Sequence, residues 1–186
     1  MNNKKMIYAP IMPGELEILK TGDVVYLSGT IYTGRDAAHK RLVKMLEEGK
    51  ELPIELKNQV IYYVGPCPAK PGNVIGPCGP TSSYRMDDYA PVLLDKGLKA
   101  IIGKGPMAEK VVDAIKKNKA VYFAGIGGAA ALISKCVKKA ELVAFEDLGT
   151  EAIRRLEVVE MPLIVAIDTE GNNLYETGPA MFRVVE

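Results

Sequence analysis

From Lys99 onward the chain repeats one local plan: a short β-branched run, a glycine turn, then an amphipathic stretch. Lys99-Ala100-Ile101-Ile102 reads as a strand and Gly103-Lys104-Gly105 as a turn. Pro106 suits a first helical position, and Met107 to Lys117 carries helical periodicity. Ala120-Val121-Tyr122-Phe123-Ala124 repeats the strand, Gly125-Ile126-Gly127-Gly128 the turn, and Ala129 to Val137 the helix. Leu142-Val143-Ala144-Phe145 gives a third strand, followed by a short helix near Glu151 to Arg154. Strands that alternate with helices in this way demand a parallel sheet with crossover helices.

The flanks differ. Val24 to Ile31 and Val60 to Val64 read as buried strands, and the first is followed by Thr33-Gly34-Arg35-Asp36, which resembles a capping box. The helix after it places Ala38, Leu42, Met45 and Leu46 on one face. Glu157 to Glu160 and Leu163 to Asp168 predict two strands joined at Pro162, and Gly171-Asn172-Asn173 a hairpin turn into Leu174-Tyr175. The expectation is an α/β fold, a parallel core flanked by antiparallel strands, in a single domain over residues 1–186.

Composition excludes several roles. A net charge of +1 with 25% charged residues offers no field for nucleic acid or an anionic membrane. No apolar run approaches a membrane span, and no signal peptide opens the chain, which points to the cytosol. Cys67, Cys78 and Cys136 lack CxxC spacing, so neither a disulfide framework nor a zinc site is suggested; a three-cysteine iron–sulfur site stands as the alternative to incidental thiols. His39 is the only histidine, which excludes chemistry built on several.

The segment Gly79-Pro80-Thr81-Ser82-Ser83-Tyr84-Arg85-Met86-Asp87 follows a loop with five prolines and four glycines and leads into a helical pattern from Met86 to Leu94. It places hydroxyls and Arg85 at a helix start, where a cation opposes the helix dipole unless an anion binds. The alternative is ordinary capping by Thr81, Ser82 or Ser83. In open α/β sheets ligands gather outside the carboxyl ends of the strands. Arg35, Arg85 and Lys104 all fall on such turns, which suggests a small dianion, a dicarboxylate or a phosphate ester. Gly125 to Gly128 echoes part of a dinucleotide-binding turn, with Ala130 in place of the third glycine and Glu146 as the nearest acid. Glu146-Asp147 is a possible carboxylate pair, and the lysines at 116, 117, 119, 135, 138 and 139 read as polar helix ends.

The segment from Gly79 to Asp87 resembles the GPTTxxRMD signature of class I fumarases and L-tartrate dehydratases, in their C-terminal region, a separate β chain in two-subunit versions. Gly34-Arg35-Asp36-Ala37-Ala38-His39, Ile102-Gly103-Lys104-Gly105 and Gly125-Ile126-Gly127-Gly128-Ala129-Ala130 resemble further pieces of that region. So do Leu148-Gly149-Thr150-Glu151-Ala152-Ile153 and Asp168-Thr169-Glu170-Gly171-Asn172.

The resemblance implies the swivelling β/β/α fold, a parallel sheet with helices backed by an antiparallel sheet. It implies a hydro-lyase that interconverts fumarate and L-malate, or acts on tartrate or methylfumarate. Its 4Fe–4S cluster is ligated by a separate α subunit, so this chain holds no metal and works in a heterotetramer of two α and two β chains. Arg35 and Arg85 then bind substrate carboxylates, Lys104 contacts substrate, and Thr81 is the general base. A threonine hydroxyl needs a nearby cation and desolvation for that role. Ser82-Ser83-Tyr84 replaces the commoner Thr-Ala-Gly and sets a tyrosine beside Arg85, which is expected to narrow the pocket or alter specificity. A nucleotide-binding module and a non-catalytic assembly domain are the competing readings.

Overall fold

The structure is a computed structural model that describes residues 5–183. Seven strands form the sheet: β1 (Lys5–Ala9), β2 (Val24–Thr33), β3 (Val60–Tyr62), β4 (Ala100–Gly103), β5 (Val121–Ala124), β6 (Val137–Ala144) and β7 (Ile153–Ile167). Among the described residues five α-helices accompany them: α1 (Asp36–Glu47), α2 (Ala90–Asp95), α3 (Glu109–Lys117), α4 (Ala130–Cys136) and α5 (Leu174–Phe182).

Strands β2, β3, β4 and β5 are parallel neighbours. Antiparallel β7 pairs with β5 on one side and with β2 on the other, so these five strands close into a barrel. The parallel core with antiparallel additions matches the expected α/β class. Antiparallel β7 completes the same hydrogen-bonded ring as the parallel strands. β1 and β6 lie outside it, β1 parallel to β2 and β6 antiparallel to β7.

Side-chain alternation sorts the core into two regions. Val60, Tyr62, Ala100, Ile102, Val121 and Phe123 belong to the inner cluster, together with Leu27, Ile31, Leu163 and Val165. Ile61, Tyr63, Ile101 and Tyr122 point the other way and pack with Leu42, Leu93, Val111 and Ile115 of the outer helices. Strands buried on both faces read as continuous apolar runs, which is why β3, β4 and β5 were visible in the sequence.

The C-terminal third departs from expectation. Residues 153–167 form one strand rather than two plus a helix, because β2 supplies a partner along most of their length. A bulge opposite Ser28 bends it, with Glu160 at φ 49° and its N–H on Ser28 Oγ at 2.9 Å. Pro162 falls between the stretch paired with β6, which ends at Val158, and the stretch paired with β5, which begins at Ile164. On that side its missing N–H costs no ladder bond. Lys138 and Lys139 lie in β6, not at a helix end, since α4 runs directly into the strand. Leu174-Tyr175 opens α5 instead of a strand; Asn173 caps it by accepting from Tyr175 N–H at 3.1 Å.

Gly29 shows how tightly β1 is laid on β2. Its φ is +108°, and a Cβ there would stand 2.1 Å from Ala9 O. Among the described residues no helix is long and apolar enough to cross a membrane.

Candidate functional site

The register of the parallel strands sets the site. Thr33, Tyr62, Ile102 and Phe123 lie in one lateral row across β2 to β5. The residues just beyond that row therefore share the carboxyl rim of the barrel: Gly34-Arg35, Tyr63 to Gly65, Gly103-Lys104 and Ala124-Gly125. The Pro80–Met86 segment is stitched onto this rim. Thr81 N–H donates to Tyr63 O at 2.6 Å, Ser82 bridges to Lys104, and Ser83 N–H donates to Lys104 O at 2.9 Å. Gly103 makes this approach possible, because a Cβ there would meet Ser83 Oγ at 2.0 Å. Gly125 in turn lies against Pro80. All four residues singled out from the sequence, Arg35, Thr81, Arg85 and Lys104, thus stand on one edge.

Three local expectations are corrected. Arg85 does not open a helix; it sits in the last turn of a single 3-10 segment, Ser83–Met86, and α2 begins at Ala90 with Pro91 in its first turn. So short a segment has too small a dipole for the electrostatic argument to rest on. Thr33 does not cap α1 either, because it is still in β2. Its hydroxyl donates to Ala152 O at 3.2 Å and accepts from Arg154 N–H at 2.9 Å. Arg35 occupies the cap position with no side-chain capping bond. Pro106 likewise precedes α3, whose first residue is Glu109.

The arginines are held by acids the sequence reading passed over. Arg35 Nη2 lies 3.1 Å from Glu151, whose other oxygen accepts from Ala37 N–H at 3.3 Å. Arg85 Nη2 donates to Asp36 Oδ2 at 2.8 Å. Arg35 Nε is buried and has no partner among the described residues, an open donor on a cation facing the rim. Gly65 gives that side chain its space: a Cβ would stand 3.1 Å from Arg35 Cδ and 3.1 Å from Thr150 O. Lys104 is exposed, and its ammonium has no acidic partner among the described residues. Thr81 is half-buried, and its hydroxyl likewise lacks a hydrogen-bond partner among them. Tyr84 is 66% exposed, whereas Ser83 is fully buried.

Behind the rim, His39 donates from Nδ1 to Arg35 O at 2.8 Å and packs edge-on against Tyr63. Burial lowers its pKa to about 4, so the ring is neutral at pH 7. Asp87 accepts from Ala108 N–H at 3.2 Å, tying the Arg85 segment to the loop after Lys104; burial raises its pKa.

The glycine turn at 125–128 loses its dinucleotide context. Its chain continues through α4 into β6, which pairs antiparallel with β7, so no parallel neighbour of β5 follows. Cys67 is exposed, Cys78 buried and Cys136 intermediate; burial pushes the Cys78 thiol up to about 12. No three His, Cys, Asp or Glu side chains among the described residues gather as a metal site. A groove of about 460 Å³ opens between Cys67–Ile75 and β6, lined by Glu146, Thr150 and Arg154; none of the four rim residues lines it.

Residues 3–178 match the family model described as Fumarase C-terminus. The chain belongs to that family. Among its relatives is a protein named "Putative L(+)-tartrate dehydratase subunit beta" from Methanocaldococcus jannaschii, 40% identical over 87% of this chain and 86% of the relative. The anaerobic class I fumarate hydratase of Escherichia coli is 40% identical over 81% of this chain, and fumarate hydratase 2 of Leishmania major 36% over 87%. The matches to those two cover only 28% and 29% of their lengths. A fumarase C-terminal chain is thus similar in extent to a free-standing subunit and corresponds to a fraction of the longer enzymes.

Proposed function

We propose that this fumarase C-terminal chain is the β subunit of an iron–sulfur-dependent hydro-lyase that reversibly hydrates fumarate to L-malate. The observation that carries the reading is the convergence of Arg35, Arg85, Lys104 and Thr81 on one barrel rim. Arg35 and Arg85 each offer a planar fork to a carboxylate; Arg85 is steadied through Nη2 by Asp36, and Arg35 through Nη2 by Glu151, with Asp36 3.9 Å away. The buried, unpartnered Nε of Arg35 gains an acceptor when a carboxylate arrives. Lys104 adds the charge that a dianion still requires. Thr81 takes or returns the proton at the substrate carbon, its alkoxide favoured by the cations beside it.

The residues of this chain do not fit an iron–sulfur cluster, since no three potential ligands gather among those described. We assign its ligands to a separate α subunit, in a cytosolic assembly of two α and two β chains, with residues 1–186 acting as one swivelling domain. The name of the Methanocaldococcus relative favours L-tartrate dehydration as the second reading.

Co-expression with the α-type chain and assay against fumarate, malate and tartrate tests the proposal. Arg85→Ala and Lys104→Ala should each abolish most turnover. Activity that survives both substitutions would sink the catalytic reading in favour of a non-catalytic assembly domain.

A further inference from the structure

All four backbone polar groups of Lys104 and Gly105 are bound by other segments. Lys104 N–H donates to Ser83 Oγ at 3.1 Å, and Lys104 O accepts from Ser83 N–H at 2.9 Å. Gly105 N–H donates to Tyr175 Oη at 2.9 Å, and Gly105 O accepts from Tyr122 Oη–H at 2.9 Å. Ser83 Oγ and Tyr122 Oη lie 2.8 Å apart.

Chemistry fixes the direction of each bond. Tyr122 spends its one proton on Gly105 O, so Ser83 must donate across the hydroxyl pair. Ser83 Oγ then accepts from Lys104 N–H with its lone pairs. The result is a directed circuit: Lys104 N–H to Ser83, Ser83 to Tyr122, Tyr122 to Gly105 O. Ser83 and Tyr122 are fully buried, and burial keeps the Tyr122 phenol protonated by raising its pKa. Tyr175 closes the turn from α5, its ring stacked on Tyr122 at 6.4 Å.

Water would satisfy an exposed two-residue turn without any of this. The Lys104 side chain is itself exposed and without an acidic partner among the described residues, so only a fixed Cα can aim it. We infer that Tyr122, Ser83 and Tyr175 are positioning residues that clamp the Lys104–Gly105 turn so that the lysine reaches the substrate anion. The inference rests on the dicarboxylate reading of the rim and deepens it.

Two measurements test it. In the full chain, Tyr122→Phe should speed amide hydrogen exchange at Lys104 and Gly105 by about tenfold or more, with distant strands unchanged. In the two-chain enzyme, Tyr122→Phe should lower kcat/KM about tenfold, but less than about twofold in a Lys104→Ala background. Tyr175→Phe, which removes only the hydroxyl from a half-buried ring, should show the same pattern at smaller size. Unchanged exchange at the turn, or equal fold-losses in both backgrounds, overturns the clamp. Full activity of Lys104→Ala alone would instead remove the catalytic reading, and the exchange result would then decide whether the clamp exists without it.

Discussion

Asp36 Oδ2 lies 2.8 Å from Arg85 Nη2, so the first residue of α1 holds an arginine that follows it by 49 positions. The pair joins the turn after β2 to the segment stitched beside β4, and it sets the spacing between the two guanidinium forks. Both side chains are partly exposed, so the bond adds less than about 1 kcal/mol to stability. Asp36→Ala is therefore expected to leave the melting temperature nearly unchanged while raising KM for the diacid about fivefold to twentyfold. Arg85→Lys should raise KM more, because an ammonium cannot form the paired bonds of the fork. Steady-state kinetics beside thermal melts of each variant check both.

Thr81 carries a different expectation. Thr81→Ala should lower kcat by about a hundredfold to ten-thousandfold with little change in substrate affinity, while Thr81→Ser keeps the hydroxyl and much of the rate. Product-inhibition constants separate affinity from turnover here. Equal losses for Ala and Ser would leave the threonine a spacer.

Stability should depend on pH through His39. Its pKa is about 4 in the folded chain and 6.5 when unfolded, so between those values the unfolded state binds more protons. The neutral buried ring contributes fully above pH 6.5, and that contribution drains away as pH falls towards 4. The loss reaches about 3 kcal/mol at most by linkage over the two pKa values. Urea unfolding at pH 7.5, 5.5 and 4 should show it, and His39→Phe should flatten that part of the profile.

Much of the strand plan was legible because β2 to β5 carry apolar runs that no tertiary partner could redirect. The rim followed, since glycine turns after such strands reveal themselves. Lys138, Lys139 and the stretch from Ile153 to Leu156 were not legible as strand: their pairing depends on β7 lying beside β2 and β6, a contact across the chain. Leu174-Tyr175 became helical through the Asn173 cap, a signal that was present but outweighed by the apparent hairpin turn. Asp36, Glu151 and Ser83 were missed as site components because their partners are distant in sequence. Tyr122, a phenol in an otherwise apolar buried run, was the one readable hint of the hydroxyl circuit.

Gly65→Ala and Gly127→Ala make a matched pair. At Gly65 the new methyl meets Thr150 O and the Arg35 stem at 3.1 Å, which should cost about 1–3 kcal/mol and raise KM by displacing that guanidinium. At Gly127 nothing lies within 4 Å, so the same change should stay within about 0.5 kcal/mol. Denaturant midpoints compare them directly.

Barrel closure through β7 has a consequence for how such a chain can diverge. In an open sheet the strand ends can splay, and the gap between neighbouring turns drifts with each substitution. A ring of five strands has a set circumference, so the arginine after β2 and the lysine after β4 keep one separation whatever the loops between them do. The exposed stretch from Cys67 to Val74 can lengthen, shorten or change composition without moving either cation. Under the dicarboxylate function proposed above, this chain acts as a fixed gauge for one span between two negative charges, and diversification towards longer or bulkier acids has to be written on whatever surface meets the rim.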